Sequence, residues 1–447
     1  MAAAMASGGT SLCVREPVQS RKHDARDDVP CPRMRAMHAP WEQGQMSNGR
    51  EFEVIVYGAS GFTGRLVAEN LQRSYGDQVK WAMAGRDGAK LESVKAEIGA
   101  KAPVIVVDAR DAAALEAMAG RAKVVLTTVG PYQLYGEPLL AACVKTGCDY
   151  VDLCGEPNWM AAMIAKYGDA AKASSARIVF SCGFDSIPFD LGVYYLQQQA
   201  KARFGAPTPR VKGRVRSMKG DFSGGTMASM LAVMEAVKRD PKLLQTLADP
   251  FALAGEPGAS QPAGDKVQHD DGVGWAAPFV MAAINVKNVL RSNKLLNYDY
   301  GRDFQYDEMV ITGDGAAGEK RAHAMVKQAR AQNAMLGFGP TRAFLRAFVL
   351  PKPGQGPSKE KRENGSYDVL FVGEAADGRT LRASVKGDKD PGYASTSRMI
   401  SESALCLARD VSREQTPGGV WTTAPAMGAA LIERLQKSAG LRFALEN

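Results

Sequence analysis

Apolar residues in the first half of this chain come in short unbroken blocks, spaced by longer amphipathic stretches. The first block, Phe52–Tyr57, reads FEVIVY. It is followed by Val79–Ala84 (VKWAMA), Pro103–Val107 (PVIVV), Lys123–Thr128 (KVVLTT), Asp149–Leu153 (DYVDL) and Arg177–Ser181 (RIVFS). Short runs without alternation fit strands covered on both faces. Between them, Phe62–Leu71, Glu137–Lys145 and Trp159–Ala173 predict helices. Strand alternating with helix predicts an α/β fold built on a doubly wound parallel sheet with right-handed crossovers.

The pattern changes at Arg210. Val211–Met218 alternates and sets Lys212, Arg214 and Arg216 on one face, either solvated or turned toward an anionic ligand. Ser223-Gly224-Gly225-Thr226 opens a helix over Met227–Lys238, either as a plain helix start or as a second small anion- or carbonyl-binding turn. Residues 240–300 are rich in Pro, Gly and Asp and predict a long irregular excursion of the kind that covers sites. Trp275, Phe279 and Met281 lie in it, lining an apolar channel or packing in the core. Arg302–Thr312 predicts a strand, Tyr367–Val372 and Arg379–Val385 a hairpin across Asp377-Gly378, and Thr396–Arg409 and Met427–Lys437 two helices. TRAFLRAFVL (341–350) sets Arg342 and Arg346 one turn apart, largely opposite Phe344, Leu345 and Phe348. That pattern suits a helix docked on an anionic membrane or covering an acyl pocket, or one packed on its own domain.

Candidate chemistry begins where the first strand ends. Gly58-Ala59-Ser60-Gly61-Phe62-Thr63-Gly64 has the spacing G-x-x-G-x-x-G between a strand and a helix, the context a dinucleotide-binding turn requires. Gly58 turns the chain out of the strand, Gly61 lets the backbone approach a ligand, and Gly64 lets the helix lie on the sheet. The amides from Ala59 to Thr63 are expected to meet a phosphate at the helix N-terminus. Where an NAD-selective domain carries an acidic residue, this chain has Gly85-Arg86. An arginine there pairs with a 2′-phosphate and favours NADP, and Lys90 is a weaker helper beside it. Asp108, at the end of the third strand, either accepts from the adenine amine or caps the helix starting near Asp111. Gly130, Pro131 and Tyr132 leave the end of a central strand, where ligands bind in open α/β sheets. Tyr132 is the candidate catalytic group beside the nicotinamide, with a packed loop tyrosine as the plainer alternative. Asp185 and Ser186 cap the helix starting at Pro188 or touch substrate.

These readings divide the chain. Residues 1–50, with Pro17, Pro30, Pro32 and Pro40 and no helix or strand period, read as a disordered tail or a mis-assigned start, with Met46 the alternative first residue. Its acid-poor first residues faintly resemble a transit peptide, which Asp24, Asp27 and Asp28 argue against. Residues 51–192 read as a Rossmann dinucleotide-binding domain. Residues 193–447 form a second α/β (α+β) domain serving the substrate or a homodimer.

Composition narrows the classes. A net charge of +8 with scattered basic residues suits an anionic cofactor or lipid surface and not nucleic acid. The longest apolar run, Ala276–Ile284, is interrupted by Pro278 and falls far short of the ~20 residues a spanning helix needs. Cys13, Cys31, Cys143, Cys148, Cys154, Cys182 and Cys406 form no C-x-x-C pair and read as reduced thiols of a cytoplasmic protein. His23, His38, His269 and His323 show no metal-ligand spacing, so no metal is expected.

The motifs GASGFTG (58–64), AGR (84–86), GPY (130–132), YVDLCGE (150–156) and CGFDSIPFDLG (182–192) together resemble the saccharopine dehydrogenase-like oxidoreductases. So do GDFSGGT (220–226), WAAPFVMAAIN (275–285), LPKPGQGP (350–357), GDKDPGY (387–393) and GGVWTTAPAMG (418–428). Within that family they resemble the branch of the mycobacterial trans-acting enoyl reductases. The resemblance implies an NADP-binding Rossmann domain joined to a substrate domain, and roles in lipid and glycolipid metabolism, with some members peripheral to the plasma membrane. It supplies no shared catalytic residue. The expected activity is an NADP(H)-dependent reduction of an enoyl or related unsaturated lipid or acyl substrate. Two readings stay open beside it: a dehydrogenase of a polar amino or hydroxy acid, and a non-catalytic lipid-associated nucleotide-binding protein.

Overall fold

A computed structural model describes residues 49–220, 224–337 and 356–446. Met46 and the tail around it, residues 221–223, and the basic stretch 341–350 lie outside the described residues. The first half alternates as expected: β1 (Phe52–Tyr57), α1 (Phe62–Tyr75), β2 (Trp81–Gly85), α2 (Gly88–Glu97), β3 (Val104–Val106), α3 (Ala112–Gly120), β4 (Ala122–Thr127), α4 (Tyr132–Thr146), β5 (Asp149–Val151), α5 (Pro157–Ser174), β6 (Arg177–Val179) and α6 (Ile187–Phe204). The central strands β1, β2 and β4 are almost wholly buried, which is why their sequences do not alternate. The sheet is parallel, in the order β3-β2-β1-β4-β5-β6 with one further strand beyond β6. Its connections diverge between β1 and β4, so a crevice opens at their C-terminal ends.

The second half supplies β7 (Arg210–Lys219), α7 (Gly224–Arg239), α8 (Leu243–Ala248), β8 (Gln268–Asp270), β9 (Gly274–Pro278), α9 (Ala282–Leu295), β10 (Gln305–Gly313), α10 (Gly315–Gly337), α11 (Lys359–Glu363), β11 (Ser366–Glu374), β12 (Thr380–Gly387), α12 (Thr396–Arg409), β13 (Gly419–Trp421), α13 (Thr423–Arg434) and β14 (Leu441–Glu446). A mixed sheet runs β14-β12-β11-β7-β10-β9-β8, parallel only at β7/β10. α6 joins the two sheets. It leaves β6 and packs over β11, where an ideal Cβ at Gly192 would stand 2.4 Å from the Phe371 ring.

Three expectations need correction. The boundary at residue 192 does not separate the sheets, because β13 returns to pair with β6 in the first sheet. Arg177 fastens this return: it pairs with Asp149 and donates to Leu407 O and Val411 O beyond the end of β6. Residues 240–300 are irregular over 249–267 as expected, but on either side hold α8, β8, β9 and α9. Phe279 and Met281 are buried, Phe279 lying 5.6 Å from Phe189, so they are core and not channel lining. Third, the basic face of β7 is neither solvated nor free. Arg214 is fully buried against Asp270 at 2.5 Å and Asp307 at 3.0 Å. Lys212 pairs with Glu374, and Arg216 with Asp368 and Glu446. The carboxylates come from remote strands, which alternation within one segment does not reveal.

Beside this cluster Glu308 is buried, within hydrogen-bond reach of Asn285 Nδ2 at 2.9 Å and Tyr306 Oη at 2.8 Å. Burial is the largest influence and pushes its carboxyl up to about 8 from an ordinary 4.5. The folded state therefore keeps a proton that the unfolded chain releases first, and Glu308 weakens the fold as pH rises between those two values. Glu308→Gln removes this dependence. Urea midpoints measured across the window are expected to shift in favour of the variant with rising pH, by up to a few kcal/mol, and then run parallel to wild type above about 8.

Candidate functional site

The crevice between β1 and β4 is shaped by three glycines, and at Gly58 and Gly64 there is no room for a side chain. Gly58 sits at φ +91°, and its N–H and that of Ala59 both donate to Ala84 O, at 2.8 and 3.2 Å. Gly61 N–H donates to Gly58 O at 2.9 Å, folding the loop back on itself. An ideal Cβ at Gly64 would stand 2.1 Å from Gly58 O, and one at Gly58 would stand 2.7 Å from Val129 Cγ2. Thr128 Oγ1 lies 2.9 Å from both of those positions and so fills the notch they leave. At Gly61 the nearest atom is 3.3 Å away and the residue is exposed, so this glycine leaves open backbone.

This geometry corrects the list of phosphate-binding amides. Gly58, Ala59 and Gly61 spend theirs within the protein. The amides of Ser60, Phe62, Thr63 and Gly64 have no partner among the described residues, and the N-cap of α1, Gly61, contributes no side-chain acceptor. Four free donors at the positive end of a fourteen-residue helix suit a pyrophosphate. The Phe62 ring turns away toward the second half of the chain, edge-on to Tyr393 at 4.7 Å with Arg362 over it at 5.3 Å.

Arg86 follows β2, exposed, with no ion pair among the described residues. Its charge reaches Asp108, which is held down at about 2, chiefly by the Arg110 hydrogen bond. Both Asp108 oxygens accept from Arg110, at 2.9 and 3.0 Å, while Asp111 caps α3 by accepting from Ala114 N–H. Asp108 thus neither caps the helix nor offers an unengaged carboxylate to adenine. Lys90 is drawn to Asp87, the cap of α2, at 3.5 Å. Among the described residues Arg86 is left without an ion pair at this end of the crevice.

Tyr132 is not a catalytic donor. It is 4% exposed, its hydroxyl donates to Thr127 O at 3.2 Å and accepts from Leu153 N–H at 3.0 Å, and its ring packs 5.7 Å from Trp159. Burial drives its pKa well above the ordinary range. The buried Glu156 carboxylate accepts from Tyr132 N–H at 2.8 Å and Gln133 N–H at 2.9 Å and so holds the start of α4. Gly130 stays exposed and Pro131 half-buried on the crevice rim. Glu156 also accepts from Ser229 Oγ of α7 at 2.7 Å, tying the second half of the chain to the crevice. Only tertiary structure reveals that role.

Two further carboxylates stand at the same sheet edge. Asp152 is buried and pushed up to about 7 by burial, though it accepts from Cys154 N–H, Ser181 N–H and Tyr150 Oη. Asp185 does not cap α6, and neither does the Ser186 side chain. Ser186 holds the N-cap position without a side-chain cap bond, and its Oγ accepts from Asn288 Nδ2 at 2.8 Å. Asp185 is half-buried, with no hydrogen bond or ion pair among the described residues, and desolvation pushes it up to about 7. Cys143, Cys148, Cys154, Cys182 and Cys406 are free and buried. Among the described residues no group of acids, histidines and cysteines is placed to hold a metal, and no helix is long and apolar enough to cross a membrane.

Comparison with known proteins gives this geometry a context. The saccharopine dehydrogenase NADP-binding domain family matches residues 54–179, from within β1 to the end of β6. A protein of Mycobacterium tuberculosis provisionally named a trans-acting enoyl reductase is 40% identical over 406 residues, covering 86% of this chain and 96% of its own. The trans-acting enoyl reductase of Mycobacterium bovis is 38% identical over 408 residues, again covering 86% and 96%. Among solved structures, the saccharopine dehydrogenase (L-Glu forming) of Saccharomyces cerevisiae superposes with a TM-score of 0.50 over 89% of this chain and 100% of that one. At 12% identity that likeness concerns the fold alone.

The two glycine roles separate experimentally. Gly61→Ala is expected to lower the thermal midpoint of the free protein much less than Gly64→Ala, because its Cβ would stand 3.3 Å and not 2.1 Å from Gly58 O. It is expected to weaken NADPH binding at least tenfold, ~1.4 kcal/mol, by filling the approach to the free amides. Gly64→Ala should lower the thermal midpoint itself, because the added methyl meets Gly58 O. Calorimetric melting and NADPH titration of both variants measure this; equal effects on melting would contradict the assignment.

Proposed function

Because the chain belongs to the saccharopine dehydrogenase-like NADP-dependent oxidoreductases, in the branch of the trans-acting enoyl reductases, we propose that it reduces the C=C bond of an enoyl thioester or related unsaturated acyl substrate in lipid or glycolipid biosynthesis. The observation that carries the cofactor half is the crevice itself: free amides at Ser60, Phe62, Thr63 and Gly64, and the exposed cation Arg86 about one strand away. These residues would hold the pyrophosphate and the 2′-phosphate respectively. NADPH, when bound, supplies the hydride. The acyl half rests on the names of the similar mycobacterial proteins.

What the chain contributes is position and shielding. Thr128 and Gly130 form the crevice rim, and α7, tied to Glu156 through Ser229, lies over the same edge. The competing reading, a dehydrogenase of a polar amino or hydroxy acid, needs a cation to fix the carboxylate. The face it relied on is already neutralised by Asp270, Asp307, Glu374, Asp368 and Glu446. A non-catalytic nucleotide-binding role would show NADPH binding without turnover on any acyl substrate. The homodimer and a peripheral membrane contact remain part of this proposal, tested by light scattering and vesicle sedimentation.

The cofactor assignment predicts selectivity. Fluorescence titration should show NADPH bound at least tenfold more tightly than NADH, ~1.4 kcal/mol. Arg86→Ala should erase that preference by weakening NADPH and leaving NADH unchanged. A preference for NADH in the wild type would contradict the role of Arg86.

A further inference from the structure

We propose that Asp185 is the proton donor of the reaction, delivering its carboxyl proton to the α-carbon of the unsaturated acyl group. The assignment rests on the enoyl reading above and names the acid that reading lacks. Its basis is the division of labour among the acids at the C-terminal edge of the first sheet.

Among the described residues the other acids there are committed. Asp152 is closed by two backbone amides and Tyr150, and Glu156 holds the start of α4 together with Ser229. Asp190, one turn into α6, accepts from Ser292 Oγ, Thr423 Oγ1 and Ala424 N–H and so serves the start of α13. Tyr132 is sealed between Thr127 and Leu153. Asp185 alone of this group, among the described residues, makes no bond with the protein and keeps a face to solvent. Gly155 lies beside it: an ideal Cβ there would stand in ordinary contact, 3.7 Å from Asp185 Oδ2, so no side chain from the loop after β5 covers the carboxyl at that point.

The surroundings keep the group suited to an acid at neutral pH. No cation lowers it; lost hydration raises it to about 7. Of the elements around it, the loop after β5 brings the Cys154 thiol, which burial holds well above its ordinary range, and the committed Glu156. The start of α12 brings only the neutral Thr396, bonded to Phe184 N–H, and α9 only the neutral Asn288, bonded to Ser186. An acid near the working pH is both protonated and willing to give up its proton.

The chemistry balances with the cofactor as reductant. The β-carbon gains a hydride, and both its electrons, from NADPH, which leaves as NADP⁺. The π pair of the C=C bond moves onto the α-carbon and the thioester oxygen. The Asp185 O–H bond breaks, a C–H bond forms at the α-carbon, and the carboxylate recovers a proton from water.

The test uses the full-length protein with NADPH and a short enoyl thioester of pantetheine. It compares wild type, Asp185→Asn and Asp185→Glu in melting temperature, NADPH affinity, single-turnover NADPH oxidation against pH, and the infrared carboxyl titration without substrate. Asp185→Asn is expected to bind NADPH as wild type does, to melt no lower than wild type and progressively higher as pH rises toward 7, to lose one of the carboxyls titrating near neutrality, and to slow turnover about 100- to 10,000-fold. Wild-type turnover should fall as pH rises through about 7, where the acid loses its proton. Asp185→Glu should recover part of the rate with a displaced pH break. Full turnover in Asp185→Asn with an unmoved pH break overturns the assignment and leaves the enoyl reading standing. Wild-type protein that binds NADPH but does not oxidise it with enoyl thioesters overturns both.

Discussion

The close approach of the Gly58 carbonyl to the start of α1 is the constraint on which the site depends. With 2.1 Å between that oxygen and the place of a Cβ on Gly64, the loop exists only if position 64 has no side chain. The same tightness turns the Gly58 and Ala59 amides back onto Ala84, and those of Ser60, Phe62, Thr63 and Gly64 have no partner among the described residues. Thr128 wedges β4 against the pair of glycines, so the loop is fixed relative to both strands flanking the crevice. The protein has spent its internal donors where it needs rigidity and kept free those that an anion can satisfy.

Acids at the sheet edge follow a similar economy. Glu156 is an anchor, holding α4 and, through Ser229, the overlying α7. Asp190 anchors the start of α13, and Asp152 ties the loop after β5 to the loop after β6. Each such carboxylate buys order at the cost of availability. Asp185 differs by being unanchored, and burial without partners keeps its proton near neutrality.

The sequence made the first half legible because buried parallel strands need no alternation and the glycine spacing is tied to local backbone geometry. Gly58, Gly61, Gly64 and Arg86 belong to that local kind of information. What it hid depends on partners far along the chain. β13 is three residues long and gains its meaning only from β6, more than two hundred residues earlier. The Arg214 side chain looked like half of an exposed basic face because Asp270 and Asp307 lie on other strands. Tyr132 stood in the right turn, yet its hydroxyl is held by Thr127 and Leu153, and helix-start rules offered Asp185 or Ser186 as the cap when the geometry gives the position to Ser186 without a side-chain bond. Residue type and spacing identified the crevice, whereas side-chain direction within it required the tertiary contacts.

The account is tested most directly by amide-resolved NMR of the protein titrated with NADPH. The central claim predicts large shifts and slowed hydrogen exchange at Ser60, Phe62, Thr63 and Gly64, whose amides are free in the structure, with Gly58, Ala59 and Gly61 keeping the exchange rates of the unliganded protein. Binding that leaves the first four amides unperturbed, or protects a different helix N-terminus, would contradict it.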